Sequence, residues 1–271
     1  IGRICQFILS THGYETFVID ERSPEQYQGH SSFMQLNLLN KSNLEQYLQH
    51  NTPDLILHFA AKIEVAESVE KPLYYYQNNV TATINLLDAM QKWAPVPLVF
   101  LSSAAVYAPQ TIPLQENSIL DPQNPYGESK RMAEAIISHC VNIPSVILRL
   151  FNVGGALPDE NLGETHEPET HLIPLVIQKI FQNKPVNIFG SQHPSKDGTC
   201  LRDYIHVLDV AEAVLCSIRK LENLSTPQSF TYNIGSGNPT SVLEVIEEVA
   251  RQLQEQPMIK WQNNRPGDSA I

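Results

Sequence analysis

The chain has 271 residues, of which 42% are hydrophobic and 17% charged, which is typical of an ordinary globular protein with one large domain or two small ones. Its net charge of −11 argues against a nucleic-acid-binding surface, because such a surface needs clustered basic side chains. No apolar run approaches the roughly 20 residues that cross a bilayer, so we expect no membrane association. The scattered cysteines and histidines lack metal-ligand spacing, which predicts reduced thiols, a cytoplasmic protein and no metal site.

The first half of the chain alternates short apolar runs with helical patterns. Strands are predicted at residues 16–19, 33–36, 55–59, 98–101 and 146–150. Helices are predicted at residues 1–9, from a capping box at 42–45 to residue 50, at 79–93, and around Tyr126. Strands that alternate with helices in this way predict a doubly wound, parallel α/β sheet.

The composition changes after Asn152, where an acidic, turn-rich segment at residues 158–168 predicts a surface loop. Beyond it we predict a helix at 171–182, a strand at 186–189, and capping boxes at 209–212 and 241–244 that open two more helices. The sequence therefore predicts a first domain at residues 1–152 and a smaller α/β domain at residues 153–271. A return of the chain to the first domain near residues 205–235 is left open.

Parallel α/β sheets bind ligands at the carboxyl ends of their strands, and two such ends favour a dinucleotide. Asp20 ends a strand about 20 residues after the start of the chain, where an acidic residue bonds the adenosine ribose and disfavours a 2′-phosphate. It predicts NAD rather than NADP, although an Asp that starts a turn is an even alternative. Ala60 and Ala61 follow Phe59 and leave room for a nucleotide near the backbone, but alanines also simply pack.

Candidate catalytic residues follow the predicted strand at residues 98–101. Tyr126 and Lys130 are four residues apart and share one face of a helix, so an ammonium can lower the pKa of a phenol that would otherwise be about 10. Such a phenol can accept a proton near neutral pH, although this spacing alone is more typical of a surface pair. Ser102 and Ser103 end the preceding strand, where a hydroxyl either bonds substrate or forms a turn. Together the three signals predict an active site.

Longer motifs carry a resemblance to a known family. They include Pro125-Tyr126-Gly127-x-Ser129-Lys130, and the others lie at residues 58–61, 67–80, 102–107, 151–156, 169–174, 197–207 and 265–268. With these motifs the whole chain resembles the UDP-glucose 4-epimerase family of extended short-chain dehydrogenase/reductases. The resemblance implies a Rossmann-like NAD-binding domain, a smaller nucleotide-sugar-binding domain, and interconversion of UDP-glucose and UDP-galactose by transient oxidation at C4. It also implies a homodimer formed through the helices around 80–93 and 127–140.

The resemblance assigns roles to individual residues. Tyr126 would be the base, Lys130 would lower its pKa, and Ser103 would help to pass the proton. The implied NAD-binding residues are Ile1, Gly2, Asp20, Asn37, Leu38, Phe59, Ala60, Ala61, Asn78, Ser102, Tyr126, Lys130 and Phe151. The implied substrate-binding residues are Ser103, Tyr126, Asn152, His171, Leu172, Asn187, Phe189, Arg202, Arg265 and Asp268. For Arg202 the alternative is an ion pair with Asp203.

The chain departs from the family pattern in several places. The family's first strand and the two glycines of its phosphate loop have no counterpart before Gly2, so we expect a fragment of a longer protein. Asn37 stands where many members have Asp, and Lys62 is displaced by one position from a lysine that is common at Ile63. The alternatives left open are another nucleotide-sugar epimerase and a non-catalytic dinucleotide-binding protein. A dehydratase is disfavoured, because Ala104-Ala105 stands where those enzymes commonly carry an acid–base pair.

Overall fold

The chain divides into two units in the computed structural model, which describes residues 1–23, 32–165 and 168–263. Unit 1 comprises Ile1–Ala108, Gln115–Leu150 and Val210–Ile234. Unit 2 takes Pro109–Leu114, Phe151–Asp209 and the chain from Gly235 onward. No helix within the described part of the chain is long and apolar enough to cross a membrane.

Unit 1 is built on parallel strands, as the sequence predicts. The strands are β1 (Val18–Asp20), β2 (Phe33–Gln35), β3 (Ile56–His58), β4 (Leu98–Ser103), β5 (Ser145–Leu150) and β9 (Ser229–Ile234). β1 pairs with β2, and the other four form a parallel sheet in the order β3-β4-β5-β9. β4 and β5 are buried along almost their whole length, which explains their continuous runs of Val, Leu, Ile and Phe. The α/β class predicted from the sequence is confirmed.

Helices cover this sheet and close the core of unit 1. They are α1 (Gly2–Thr11), α2 (Lys41–His50), α3 (Val65–Glu70), α4 (Pro72–Tyr75), α5 (Ala82–Trp93), α6 (Pro125–His139) and most of α8 (Val207–Glu222). One buried cluster joins Leu44 of α2, Met90 of α5 and Ile137 of α6 to Phe100 of β4. Burial of apolar surface of this kind is the main force that holds the helices to the sheet.

Two helices begin earlier than the capping boxes predicted from the sequence. The expected capping box at residues 42–45 is wrong, because α2 begins at Lys41 and the Asn40 side chain accepts the cap hydrogen bond from the Asn43 N–H at 3.2 Å. The box expected at 209–212 is also wrong, because α8 begins at Val207. The pattern at 79–93 is a helix, but it is entered through a π-helical turn at Tyr76–Thr81.

The described residues of unit 2 form two small sheets and two main helices. β6 (Asn152–Gly154), β8 (Leu201–His206) and β10 (Pro239–Ser241) form a mixed sheet in the order β10-β8-β6, and β7 (Val186–Phe189) pairs in parallel with β11 (Ile259–Gln262). α7 (Leu172–Phe181) and α9 (Val242–Leu253) pack on β7 through a cluster that includes Val176, Ile188 and Ile246. The capping box predicted at 241–244 is confirmed, with both reciprocal bonds between Ser241 and Glu244 present.

Candidate active site

The candidate site of unit 1 lies at the carboxyl edge of its parallel sheet. Ser103 ends β4 directly opposite Leu150 of β5, which in turn pairs with Ile234 of β9. Because the strands are parallel, their carboxyl ends share one edge, where doubly wound sheets bind ligands. The two predicted serines differ there. Ser102 is buried and its hydroxyl donates to the Glu134 carboxylate, whereas Ser103 is partly exposed at the edge itself.

The start of α6 is fixed against this edge. The Asn124 side chain accepts a hydrogen bond from the Gly127 N–H at 2.8 Å, and Pro125 occupies the first helical position, where its missing N–H costs nothing. Gly127 faces the backbone oxygen of Ala105 so closely that a Cβ placed there would lie 2.2 Å from it. The glycine therefore lets α6 approach the turn after Ser103, and this approach brings Tyr126 to the serine.

The pKa of Tyr126 differs from the sequence expectation. Burial raises it above its ordinary value, and a hydrogen bond with Ser103 opposes that rise without reversing it. The Lys130 ammonium, 4% exposed, donates to the Leu101 carbonyl oxygen at 2.7 Å and lies over the Phe100 ring. Burial lowers the pKa of Lys130 to about 8. In this structure the phenol pKa is therefore raised rather than lowered as expected, because the loss of hydration outweighs the effect of Ser103.

A neutral imidazole lies behind this group. His58, at the end of β3, is 3% exposed, and burial together with the Lys130 charge lowers its pKa to about 3. Its Nε2 is 2.9 Å from the Thr83 hydroxyl, which itself donates to the Asn79 carbonyl oxygen. Since the hydroxyl proton is used there, the His58 Nε2 carries the hydrogen. His58 therefore adds no positive charge beside Lys130.

Asn79 is a positioning residue that sequence reasoning missed. Its side-chain oxygen accepts from the Lys62 N–H at 2.8 Å, and its amide nitrogen donates to the Lys62 carbonyl and the Ser129 hydroxyl, each at 2.9 Å. The Ser129 hydroxyl donates in turn to the Tyr126 carbonyl oxygen. Asn79 thus ties the loop after β3 to the helix that carries Tyr126. Its place in a π-helical turn is a signal often found at functional sites, but the turn is visible only in the structure.

Several residues predicted to hold NAD surround the carboxyl ends of β1 and β3. Ile1 caps α1 without a side-chain bond, and Asp20 accepts from the backbone and side chain of Arg22. Asn37 donates to the Glu21 carboxylate at 2.9 Å, and Lys62 donates to the other oxygen of that carboxylate at 2.7 Å. Gly2 begins α1. The remaining predicted residues of unit 1 follow β2, β3 or α4, and are Leu38, Phe59, Ala60, Ala61 and Asn78.

The residues predicted to bind substrate in unit 2 fall on two strand surfaces and at one helix start. Asn152 of β6 pairs with Tyr204 of β8, two residues from Arg202, so Asn152 and Arg202 share one face of the sheet. Asn187 and Phe189 alternate with the buried Val186 and Ile188 of β7. His171 caps α7 and Leu172 begins it. Phe151, which is predicted to bind NAD, directly precedes β6. Arg265 and Asp268 lie outside the described residues.

Asp203 does not form the ion pair with Arg202 that was the alternative role for that arginine. Its carboxylate accepts hydrogen bonds from the backbone N–H groups of Ser236 and Gly237, each at 2.8 Å, and from the Ser236 hydroxyl. The Arg202 guanidinium donates to the Leu201 carbonyl oxygen at 2.7 Å. Asp203 therefore anchors the loop that follows β9.

Three ionisable side chains of unit 2 approach one another near the start of α7. Donor atoms of Glu164, Glu169 and His171 lie within 4.8 Å of each other. His171 Nδ1 is 3.1 Å from Glu169, whose carboxylate also accepts from the backbone N–H groups of Thr170 and His171. A hydrogen bond therefore joins His171 to Glu169, while Glu164 lies 3.7 Å from His171 Nδ1.

A profile of the NAD dependent epimerase/dehydratase family matches residues 1–235. The chain belongs to the NAD dependent epimerase/dehydratase family. In this member of the family, Ser103 is followed by Ala104 and Ala105, which open a 3-10 turn and carry no group that can transfer a proton.

Relatives within the epimerase/dehydratase family cover nearly the whole chain. The UDP-glucose 4-epimerase of Rhizobium meliloti (strain 1021) is 37% identical over 272 residues, which are 96% of this chain and 81% of the relative. The UDP-glucose 4-epimerase from Brucella ovis, solved in complex with NAD, matches 98% of this chain and 83% of its own with a TM-score of 0.91 and 32% identity. The enzyme from Stenotrophomonas maltophila, solved with NAD and formylated UDP-arabinopyranose, has a TM-score of 0.91 and 31% identity over 100% of this chain and 85% of its own.

Proposed function

We propose that the protein inverts C4 of a UDP-hexose, interconverting UDP-glucose and UDP-galactose with a tightly held NAD. One observation carries the proposal. A tyrosine near Ser103 and one helical turn from a buried lysine lies at the ligand-binding edge of a parallel sheet, in a chain 37% identical to a UDP-glucose 4-epimerase. Neither a binding module nor a structural protein needs a half-buried phenol one helical turn from a buried ammonium at that edge.

The residues of unit 1 fit NAD. The first N–H groups of α1 have no intrahelical acceptors, and Ile1 offers no side-chain cap, so this helix start suits a pyrophosphate. The Asp20 carboxylate at the end of β1 suits the adenosine ribose. Asn37 and Leu38 would line the adenine. Gly2 begins α1 and would lie beside the pyrophosphate. Along the rest of the cofactor we place the remaining residues of the set, which are Phe59, Ala60, Ala61, Asn78, Ser102, Tyr126, Lys130 and Phe151.

The chemistry of the site follows from its charges. NAD supplies a hydride acceptor when bound, and its positive ring also favours an ionised phenol nearby. Tyr126 takes the proton of the sugar 4-hydroxyl, and Ser103, which lies near the phenol, passes that proton along. Lys130 keeps a positive charge next to the phenolate. The 4-keto sugar then turns over, and Tyr126 returns the proton when the opposite face has been reduced. A buried site retains this intermediate.

Unit 2 would hold the UDP moiety. Arg202 and Arg265 suit the diphosphate, because a guanidinium matches phosphate oxygens in bidentate fashion. Asp268 would bond the uridine ribose. The other residues that we place along the substrate are Asn152, His171, Leu172, Asn187 and Phe189.

Assembly and location are further proposals. We expect a homodimer formed through the helices around 80–93 and 127–140. This expectation is supported by exposed apolar side chains on or beside those helices, among them Ile84, Met132 and Val141. The mass in solution, measured by light scattering, would test it. The free cysteines, Cys5, Cys140, Cys200 and Cys216, are consistent with a cytoplasmic enzyme.

Two rival activities remain as alternatives. Another nucleotide-sugar epimerase would use the same catalytic group with a different sugar. A non-catalytic dinucleotide-binding protein would bind NAD but would not convert any sugar nucleotide.

The decisive experiment is a coupled assay on the full-length protein, in which UDP-galactose is supplied and the UDP-glucose formed is oxidised by a second enzyme. We expect turnover without added reductant. Tyr126→Phe removes the proton acceptor and should lower kcat by roughly 10²–10⁴-fold. Tyr14→Phe is the matched control, since the Tyr14 hydroxyl is exposed and bonds only weakly to Glu222 at 3.4 Å. Equal activity of the two variants would remove the base assignment.

A further inference from the structure

A buried ion pair lies one helical turn beyond the catalytic lysine. Glu134 of α6 and Arg149 of β5 are each 5% exposed. Arg149 donates from Nε to Glu134 at 3.0 Å and from Nη2 at 2.7 Å, which is a bidentate arrangement. Apolar residues of similar volume often stabilise a core as well as a buried ion pair does. Stability alone is therefore a weak reason for charges at this place.

The contacts of this pair reach the catalytic edge of the sheet. The Glu134 carboxylate also accepts the hydrogen bond of the Ser102 hydroxyl, next to Ser103. The remaining nitrogen of Arg149, Nη1, donates to the Tyr107 hydroxyl at 2.8 Å and to the Glu116 carbonyl oxygen at 3.0 Å. The pair thus holds α6 and β5 to the end of β4 and to the segment that follows it.

Lys130 and Glu134 attach α6 to adjacent residues of β4. Lys130 donates to the Leu101 carbonyl oxygen, and Glu134 accepts from the Ser102 hydroxyl. The two side chains are four residues apart, so they lie next to each other on the helix. We propose that Glu134 is a positioning residue that keeps the Lys130 ammonium charged and the catalytic end of β4 in place. This inference rests on the proposed role of Tyr126 and Lys130 in epimerisation.

The charges around Lys130 make Glu134 the group that opposes its loss of a proton. Burial lowers the pKa of Lys130 to about 8, and the Glu134 charge raises it. His58 of β3 faces Lys130 as a neutral imidazole. The Glu64 carboxylate acts on the Tyr126 phenol and raises its pKa. Arg149 faces Glu134 from β5, so removing the Glu134 charge leaves the positive charge of Arg149 uncompensated by Glu134 on that side of Lys130.

The first test is the pH dependence of kcat for Glu134→Gln. Because catalysis needs Lys130 protonated, we expect the alkaline limb of the profile to move to lower pH by about one unit, since a close opposite charge shifts a pKa by roughly 1–3 units. At pH 8 the expected loss of kcat is about fivefold, because the protonated fraction of Lys130 falls from about one half to about one eleventh. The matched control is Glu128→Gln on the same helix, where Glu128 pairs with Arg131 at the surface and the limb should stay in place. A uniform loss at every pH, with the limb unmoved, would overturn the proposal.

A second variant separates positioning from folding, because Glu134→Gln leaves Arg149 buried with reduced compensation and can lower stability by itself. The double variant Glu134→Leu with Arg149→Met replaces both charges by apolar groups. We expect its unfolding temperature to return toward that of the unmodified protein while the alkaline limb stays shifted. Recovery of both properties together would show that the pair is only structural.

A third readout does not depend on activity. Between the folded and unfolded pKa of Lys130 the unfolded state binds the extra proton, so stability rises with pH in that window. In Glu134→Gln this rise in unfolding temperature should begin about one pH unit lower. An unchanged onset contradicts the proposal even if the unmodified protein proves to have no epimerase activity, which would contradict only the proposed function.

Discussion

Gly127→Ala tests whether the close approach of α6 to the turn after Ser103 places Tyr126. The new Cβ would lie 2.2 Å from the Ala105 backbone oxygen and 2.9 Å from the Pro122 Cβ. Ordinary contacts of a Cβ begin near 3.4 Å. Neither neighbour is the end of a flexible side chain, so the helix and the turn must separate by about 1 Å.

The expected cost has two opposing parts. Forcing an extra carbon into a packed contact costs typically about 1–3 kcal/mol. Alanine is favoured over glycine within a helix by roughly 0.5–1 kcal/mol, which offsets part of that cost. We therefore expect a net loss of about 1–2 kcal/mol in the free energy of unfolding. Activity should suffer more, because a misplacement of about 1 Å can lower a rate by about 100-fold.

The measurements are the coupled epimerase assay and thermal unfolding of the same preparations. Gly163→Ala is the matched control, since its Cβ would meet only the Ala156 Cβ at 3.5 Å. We expect the control to keep its activity and its unfolding temperature. If Gly127→Ala kept kcat within about twofold of the unmodified protein, the contact between α6 and the turn would not be what places the phenol.

Two predictions concern the pH dependence of stability in the cofactor-free protein. Lys130 has a folded pKa of about 8 against an ordinary 10.5. Between these two pH values the free energy of unfolding should therefore rise with pH by about 3 kcal/mol. Lys130→Met should abolish this rise. A denaturant series that found the same rise in the variant would contradict the assignment. His58 has a folded pKa of about 3 against an ordinary 6.5, so stability should fall by on the order of 4 kcal/mol as the pH drops from 6.5 toward 3. His58→Phe should remove this loss of stability, while the Thr83 hydroxyl keeps its hydrogen bond to the Asn79 carbonyl oxygen. Equal acid sensitivity of the variant and the unmodified protein would rule out His58 as the source of the loss.

The sequence alone determined the features that depend on neighbours along the chain. The β4 and β5 runs, the helix that carries Tyr126 and the capping box at Ser241 follow from local periodicity and local hydrogen bonding. The spacing of Tyr126 and Lys130 is local too, because one helical turn separates them. The family motifs added roles that spacing cannot supply.

Only the tertiary structure decided the features that depend on burial and on distant partners. Lys130 reads as an ordinary cation in the sequence, but packing beneath the sheet edge lowers its pKa and leaves the phenol pKa raised. Glu134 meets Arg149 across 15 residues and Ser102 across 32, so no local pattern reveals their contact. The free energy of a buried charge depends on everything packed around it, and that environment exists only after the chain has folded.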